Sequence, residues 1–290
     1  MSELSFSVIL DAKDLEDRID ALYYFMKYKL RKAIREALIA AGNAGYCKVF
    51  KLRDLVIPRK AHEVPRKKPD EIFYLIEAED VDGVTGDIVN VKMRAGENFA
   101  NSSYPLCKPG DLIYLRIRPY LRKVAIVPNH ITVEGNTMDL RRFTICCSGE
   151  FYVLTPQSTL FTTMLNRDLL QKFLWVYLRS EITLFQVLPL IIGATRPRVN
   201  MRDFMNILVA LPGEGVIRNI VEKAMRTAER VKKARVELIK AIRETQHLLG
   251  VEITSLITKS AEFTSMSDDL IDLLFESGYL SRGFFMGLER

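Results

Sequence analysis

From Ile217 to Leu249 the chain repeats one spacing: Ile217, Val221, Ala224, Ala228, Val231, Arg235, Leu238, Ile242, Thr245 and Leu249 step by alternating fours and threes. Eight of these ten positions are apolar, which is the period of a helix with one apolar seam and not of a strand. At 1.5 Å per residue, a continuous helix over 216–249 runs about 50 Å. A seam that long calls for a second helix along it, as in a coiled coil. Residues 212–250 therefore read as a long spacer or dimerisation helix, entered through Pro212-Gly213.

The rest of the chain divides around that helix. Asp11 is placed to cap an N-terminal helix running to about Gly42, with Leu15, Ile19, Leu22, Met26, Leu30, Ala33 and Ala37 as its apolar stripe. Acids sit early in it and Lys27, Lys29, Arg31, Lys32 and Arg35 later, which suits the helix dipole. This makes 1–45 an N-terminal helical segment. Residues 46–211 change texture. Ile72–Ile76, Leu112–Ile117, Val124–Val127, Arg142–Cys147, Phe151–Leu154 and Phe204–Leu211 read as strands, and Leu169–Leu188 as one helix carrying Trp175. Glycine turns fall at Gly83, Gly86 and Pro109-Gly110-Asp111. The fold class is α+β. A short helix capped by Ser267 and stopped by Gly278 is expected in a C-terminal tail, 251–290.

A chain of 290 residues with 48% hydrophobic and 27% charged residues is globular in composition. The early acids Asp14, Glu16 and Asp17 argue against a secretory leader, and the apolar run Val187–Gly193 is far shorter than the ~20 residues of a membrane span. Cys47, Cys107, Cys146 and Cys147 show no CxxC spacing and read as reduced, buried thiols in a cytoplasmic protein.

Motifs for catalysis are missing. No GxxxxGK[ST] loop occurs, and Gly213-Glu214-Gly215 reads as a helix lead-in. His62, His130 and His247 are too scattered for a metal site. Pro69-Asp70 with Glu77-Ala78-Glu79 lacks the lysine that a metal-dependent nuclease core places after its second acid. Ser148 has no GxSxG setting, and no methyl-donor loop or Asn-Pro-Pro-Tyr-type segment is present. The chain is thus read as a non-catalytic protein with no cofactor and no metal.

What remains is basic charge. The formal net charge of +6 suits a polyanionic partner. One cluster lies in the proline-bordered stretch 51–68, with Arg59, Lys60, Arg66, Lys67 and Lys68. Another is Arg116, Arg118, Arg122 and Lys123, interleaved with Tyr114 and Tyr120; strand alternation predicts Arg116 and Arg118 on one face. A third is Arg196-Pro197-Arg198 after Gly193. Each is a possible phosphate clamp, and each has an alternative reading as solvated loop, polar strand face or structural turn.

Three segments in order resemble a target recognition domain of the specificity subunits of type I restriction-modification systems. They are Gly110-Asp111-Leu112-Ile113 through Arg116-Ile117-Arg118-Pro119-Tyr120-Leu121 and Lys123–Val127; Ser148–Leu154; and Gly193–Asn200 running to Leu208–Pro212. Phe173–Ser180 lies where that family has a helix before its Gly-Thr-x-Arg-type turn, and Arg18–Tyr24 resembles the family's opening, with Leu22 where an acid is usual.

The resemblance implies a DNA-binding subunit that reads sequence on double-stranded DNA for a DNA methyltransferase subunit, and in a full complex for an ATP-driven restriction/translocase subunit. S-adenosylmethionine, ATP and magnesium would belong to those partners. Family members usually carry two recognition domains; no internal repeat is found here, so a half subunit is expected, reading one half of a bipartite target as a homodimer or with another half subunit. A truncated orphan form is the alternative within that family. Segments shared across targets suit fold or phosphate contacts better than base reading, which places candidate base readers in 59–103: Lys67, Lys68, Lys92, Arg94 and Asn98. A helical scaffold protein with incidental basic patches is the competing reading, and a stand-alone nuclease or methyltransferase a third.

Overall fold

The computed structural model describes residues 29, 31–133, 136–157, 165–193 and 196–248. The chain divides into two compact units, 1–231 and 232–290, and every described strand lies in the first. The expected cap at Asp11, the stripe positions Leu15, Ile19, Leu22, Met26 and Leu30, Leu249 and the tail helix after Ser267 lie outside the described residues.

Helix α1 (Arg31–Asn43) leads into strand β1 (Cys47–Lys51), the one-turn helix α2 (Leu52–Leu55) and strands β2 (Val56–Pro58) and β3 (His62–Glu63). Strands β4 (Ile72–Ile76), β5 (Lys92–Ala95), β6 (Tyr104–Cys107), β7 (Leu112–Leu115) and β8 (Val124–Ile126) follow. A hairpin, β9 (His130–Val133) and β10 (Asn136–Asp139), precedes β11 (Thr144–Cys147) and β12 (Phe151–Pro156). Helices α3 (Arg167–Leu178) and α4 (Glu181–Val187) come next, then strands β13 (Ile191–Ile192) and β14 (Arg198–Val199). The one-turn helix α5 (Met201–Phe204), strand β15 (Leu208–Pro212) and the long helix α6 (Glu214–Leu248) complete the described chain.

Two sheets dominate this α+β architecture. One has five strands in the order β3-β6-β11-β4-β5, with β11 and β4 parallel; the other is antiparallel, in the order β2-β12-β7-β8. Alternation along each strand sorts side chains into three apolar layers. Ile113, Leu115, Phe151 and Val153 face the layer shared with Tyr74, Ile76, Ile145 and Cys147 of the five-stranded sheet. Leu112, Tyr114, Tyr152 and Leu154 face the other way, onto α3, α5 and the start of α6. Phe73, Leu75 and Cys146 pack with Phe99 beyond the five-stranded sheet. Strands covered on both faces must be apolar at every position, which is why these segments read as unbroken apolar runs. Strand β1 pairs antiparallel with β15, Cys47 opposite Pro212, so the two ends of the sheet region are joined.

Several elements depart from the sequence reading. In α1 the half-buried face carries Ile34, Leu38 and Ala41, whereas Ala33 and Ala37 are exposed; packing favours the larger side chains over the neighbouring alanines. The helix expected over 169–188 is two helices, because Ser180 accepts from the Thr183 amide and caps a new start at Glu181. The strand expected from Phe204 begins only at Leu208: Asn200 caps α5, which drives Phe204 to 0% exposure. Residues Leu140–Arg142 form a 3-10 turn capped by Asp139, so the strand expected from Arg142 starts at Thr144. Short pairing strands such as β3, β6, β13 and β14 had no sequence signal of their own.

Helix α6 begins inside the first unit's core. Ile217 (0% exposed) and Val221 (5%) are buried, with Ala224 and Ala228 packed beside them. In the second unit Val236, Leu238, Ile239 and Ile242 are 49–61% exposed. Among the described residues no helix is long and apolar enough to cross a membrane.

Candidate nucleic-acid interface

Two basic segments that are distant in sequence meet at one corner of the four-stranded sheet. Strand β7 ends at Leu115, and the chain then runs beside β14. The Val199 amide donates to the Arg116 carbonyl (3.1 Å), the Arg118 amide donates to the Pro197 carbonyl (2.7 Å), and Ile117 bridges Arg198. Tyr152 from β12 donates its hydroxyl to the Val199 carbonyl (2.7 Å). Beneath it, Phe204 stacks on Tyr114 and Tyr152 at centroid distances of 4.2 and 5.7 Å. Burial raises the Tyr152 phenol above its usual range, with Arg116 and Arg198 pulling it back, so it stays a neutral donor. This aromatic footing fixes the backbone under the arginines.

The side chains above it are cationic. The Arg116 guanidinium lies 5.7 Å from the Tyr152 ring centroid and donates through Nε to the Gly149 carbonyl (3.1 Å). Arg118, Arg196 and Arg198 are exposed and form no ion pair among the described residues. The expected alternation of Arg116 and Arg118 along a strand does not occur. Arg118 and Arg122 are both left-handed (φ 47° and 51°) and bracket the 3-10 turn Pro119–Leu121. That turn redirects the rest of the cluster: Arg122 lies 3.6 Å from Glu181, and Lys123 donates to the Ala78 carbonyl (2.6 Å). The backbone segments of Arg116–Arg118 and Arg198 are therefore paired, and Arg122 and Lys123 bind other parts of the fold.

The residues singled out between 59 and 98 are placed differently. Arg59 forks onto Asp111, with Nε–Oδ2 and Nη2–Oδ1 both 2.8 Å. Lys68 pairs with Glu63 (2.9 Å) and Glu71 (3.4 Å). Lys92 sits between Glu77 (2.5 Å) and Glu79, and Arg94 lies 3.6 Å from Glu77. Arg66 donates to the Phe99 carbonyl (3.2 Å). Lys60, Lys67 and Asn98 are exposed, and the two lysines form no ion pair among the described residues. Of the helix-packing set, Ile217, Val221, Ala224 and Ala228 pack on the core, Val231 is half-buried, and Leu238 and Ile242 are exposed.

Two features escaped sequence reading. Arg179 stacks over Trp175 (4.5 Å) and donates to the carbonyls of Gly83 (3.4 Å), Val84 and Thr85 (3.0 Å), clasping the 83–86 turn. His130, Arg141 and Arg142 gather around Asp139 at the base of the β9–β10 hairpin. The adjacent Arg141-Arg142 is the one sequence signal, and of the pair only Arg142 falls in an expected element, the strand Arg142–Cys147. Among the described residues no group of three His, Cys, Asp or Glu is placed to hold a metal ion.

No family model matches the sequence, and no curated protein matches it. Solved structures do. The HsdS subunit from Thermoanaerobacter tengcongensis aligns over 70% of this chain and 47% of its own, at 24% identity and a TM-score of 0.49. A chain from a structure describing complex assembly and conformational transition of the type I restriction-modification system aligns over 72% of this chain and 49% of its own, at 24% identity and a TM-score of 0.51. The chain thus spans about half the length of the solved chains it matches. At this identity the likeness establishes architecture, and the chain has the fold of a protein from a type I restriction-modification system.

Proposed function

We propose that this chain is a non-catalytic, sequence-reading subunit of a type I restriction-modification system. It binds double-stranded DNA and docks a DNA methyltransferase subunit, with a restriction/translocase subunit in the full complex. The observation that carries the reading is the backbone pairing that sets the Arg116–Arg118 segment against Pro197–Val199 beside Tyr152. The exposed guanidinium groups of Arg118 and Arg198, which form no ion pair among the described residues, suit phosphate oxygens, which accept from arginine in a fork. The fold likeness supports the same reading. S-adenosylmethionine, ATP and magnesium belong in this proposal to the partners, and the setting is cytoplasmic.

The half-subunit arrangement is part of the proposal. The exposed Val236, Leu238, Ile239 and Ile242 are apolar positions on α6 within the second unit. A second copy, or another half subunit, would cover them and bring two recognition domains to a two-part target. The test is duplex binding against salt, with the full chain alone and with a methyltransferase partner. Affinity should fall steeply, with log Kd changing by about one unit per log unit of salt for each phosphate contact. Absence of duplex binding at low salt in both preparations would remove the reading.

A further inference from the structure

Among the described residues the β9–β10 hairpin is hydrogen-bonded to no other strand. Its two faces differ. Ile131 (5% exposed) and its cross-strand partner Met138 pack into the layer between the sheets. On the other face, His130 stands opposite Asp139 and Thr132 opposite Thr137, with the threonine hydroxyls 2.9 Å apart. At the base, Asp139 accepts from the Arg141 amide (3.1 Å), from its Nε (2.8 Å) and from its Nη2 (2.9 Å). Arg142 lies 3.6 Å from the same carboxylate. The side chains of Arg141 and Arg142 are 58% and 80% exposed. Phe143 follows, 42% exposed and 4.4 Å from the Tyr74 ring, whose hydroxyl reaches Met93.

We infer that this ribbon, with Arg141 and Arg142 at its base, enters the major groove of duplex DNA and reads base edges. The inference rests on the recognition reading above and names the element that would carry specificity. A two-stranded ribbon is a shape that groove admits. Guanidinium has five N–H donors, and Asp139 engages only Nε and one hydrogen of Nη2. The end-on fork of Nη1 and Nη2 stays open with its direction already set, which suits the paired O6 and N7 acceptors of guanine. The threonine pair offers hydroxyls to base edges, and Phe143 offers an apolar surface to a thymine methyl. Arg118 and Arg198, by contrast, are exposed with no carboxylate to set their direction among the described residues, and suit the phosphate backbone.

The experiment selects preferred sequences from a pool of random duplexes, using the full chain with a methyltransferase partner. Wild type is compared with R141K/R142K, which keeps charge and loses the fork, and with R141A/R142A. The expected result is that wild type enriches a motif. The lysine variant, which keeps both charges, should lose about ten- to hundredfold discrimination at particular positions of the motif. An unchanged motif from both variants overturns the inference. So does a uniform loss of affinity with the motif intact, which would make the arginines phosphate contacts. If wild type enriches no motif, the recognition reading itself falls and takes this inference with it.

Discussion

Arg59 and Asp111, 52 residues apart, form a two-pronged ion pair at 2.8 Å on each prong, with the Asp111 side chain only 2% exposed. Thr155 donates to the same carboxylate (2.7 Å), as does the Lys108 amide (2.8 Å). The pair therefore joins the end of β2 to the turn before β7 and to β12. Replacing Arg59 with alanine would leave a buried carboxylate without its cation, a loss of roughly 3–5 kcal/mol. Denaturant unfolding should show that loss, and Arg59→Lys should recover only part of it, because an ammonium cannot fork. A variant as stable as wild type would mean the pair is not a structural tie.

Gly86 carries the second prediction. Its φ is 72°, and a Cβ there would lie 2.5 Å from Trp175 Nε1 and 2.8 Å from the Val124 carbonyl oxygen. Left-handed strain alone costs about 1–2 kcal/mol, and the clash would also displace Arg179 from its carbonyls. Gly86→Ala should lower the melting temperature by several degrees. It should also shift emission from Trp175, the one tryptophan in the chain, to longer wavelength.

For the arginine corner, Arg118→Ala and Arg198→Ala should each weaken duplex binding evenly across sequences. Each should reduce the salt slope by about one unit. Circular dichroism should remain that of wild type, since both side chains are exposed. An unchanged slope would place the phosphate contacts elsewhere on the chain.

Asp139 should titrate unusually low. The Arg141 side chain bonded to it, helped by the Arg141 amide, brings its carboxyl down from 3.8 to about 2. A depressed carboxylate adds stability above its unfolded value and loses it as pH falls through the folded value, so the effect disappears between about pH 4 and pH 2. A carboxyl-carbon NMR titration should find the low midpoint in wild type and a return toward 3.8 in Arg141→Ala.

The proposed pairing of two copies predicts a change of mass. Leu238→Asp with Ile242→Asp places charge on two exposed apolar positions of α6 and should halve the solution mass of a homodimer. The strands and α3 should remain folded. An unaltered mass in sedimentation would exclude these positions from self-association.

Local pattern was enough for part of this fold. The four-and-three spacing of Ile217 to Ile242 specifies a helix, because a helix brings those positions to one side whatever else the chain does. The apolar runs at Leu112–Leu115 and Phe151–Leu154 likewise specify strands covered on both faces. Long-range packing settled the rest. Nothing near Arg59 in sequence marks it as Asp111's partner, and nothing near Arg116 announces Arg198. The same physics parts the apolar seam of α6, where Ile217 is buried and Leu238 is exposed although the two share one periodicity. Periodicity determines which residues of a helix lie on one side; which of them are covered depends on packing partners distant in sequence, as Ile217 and Val221 show against the core.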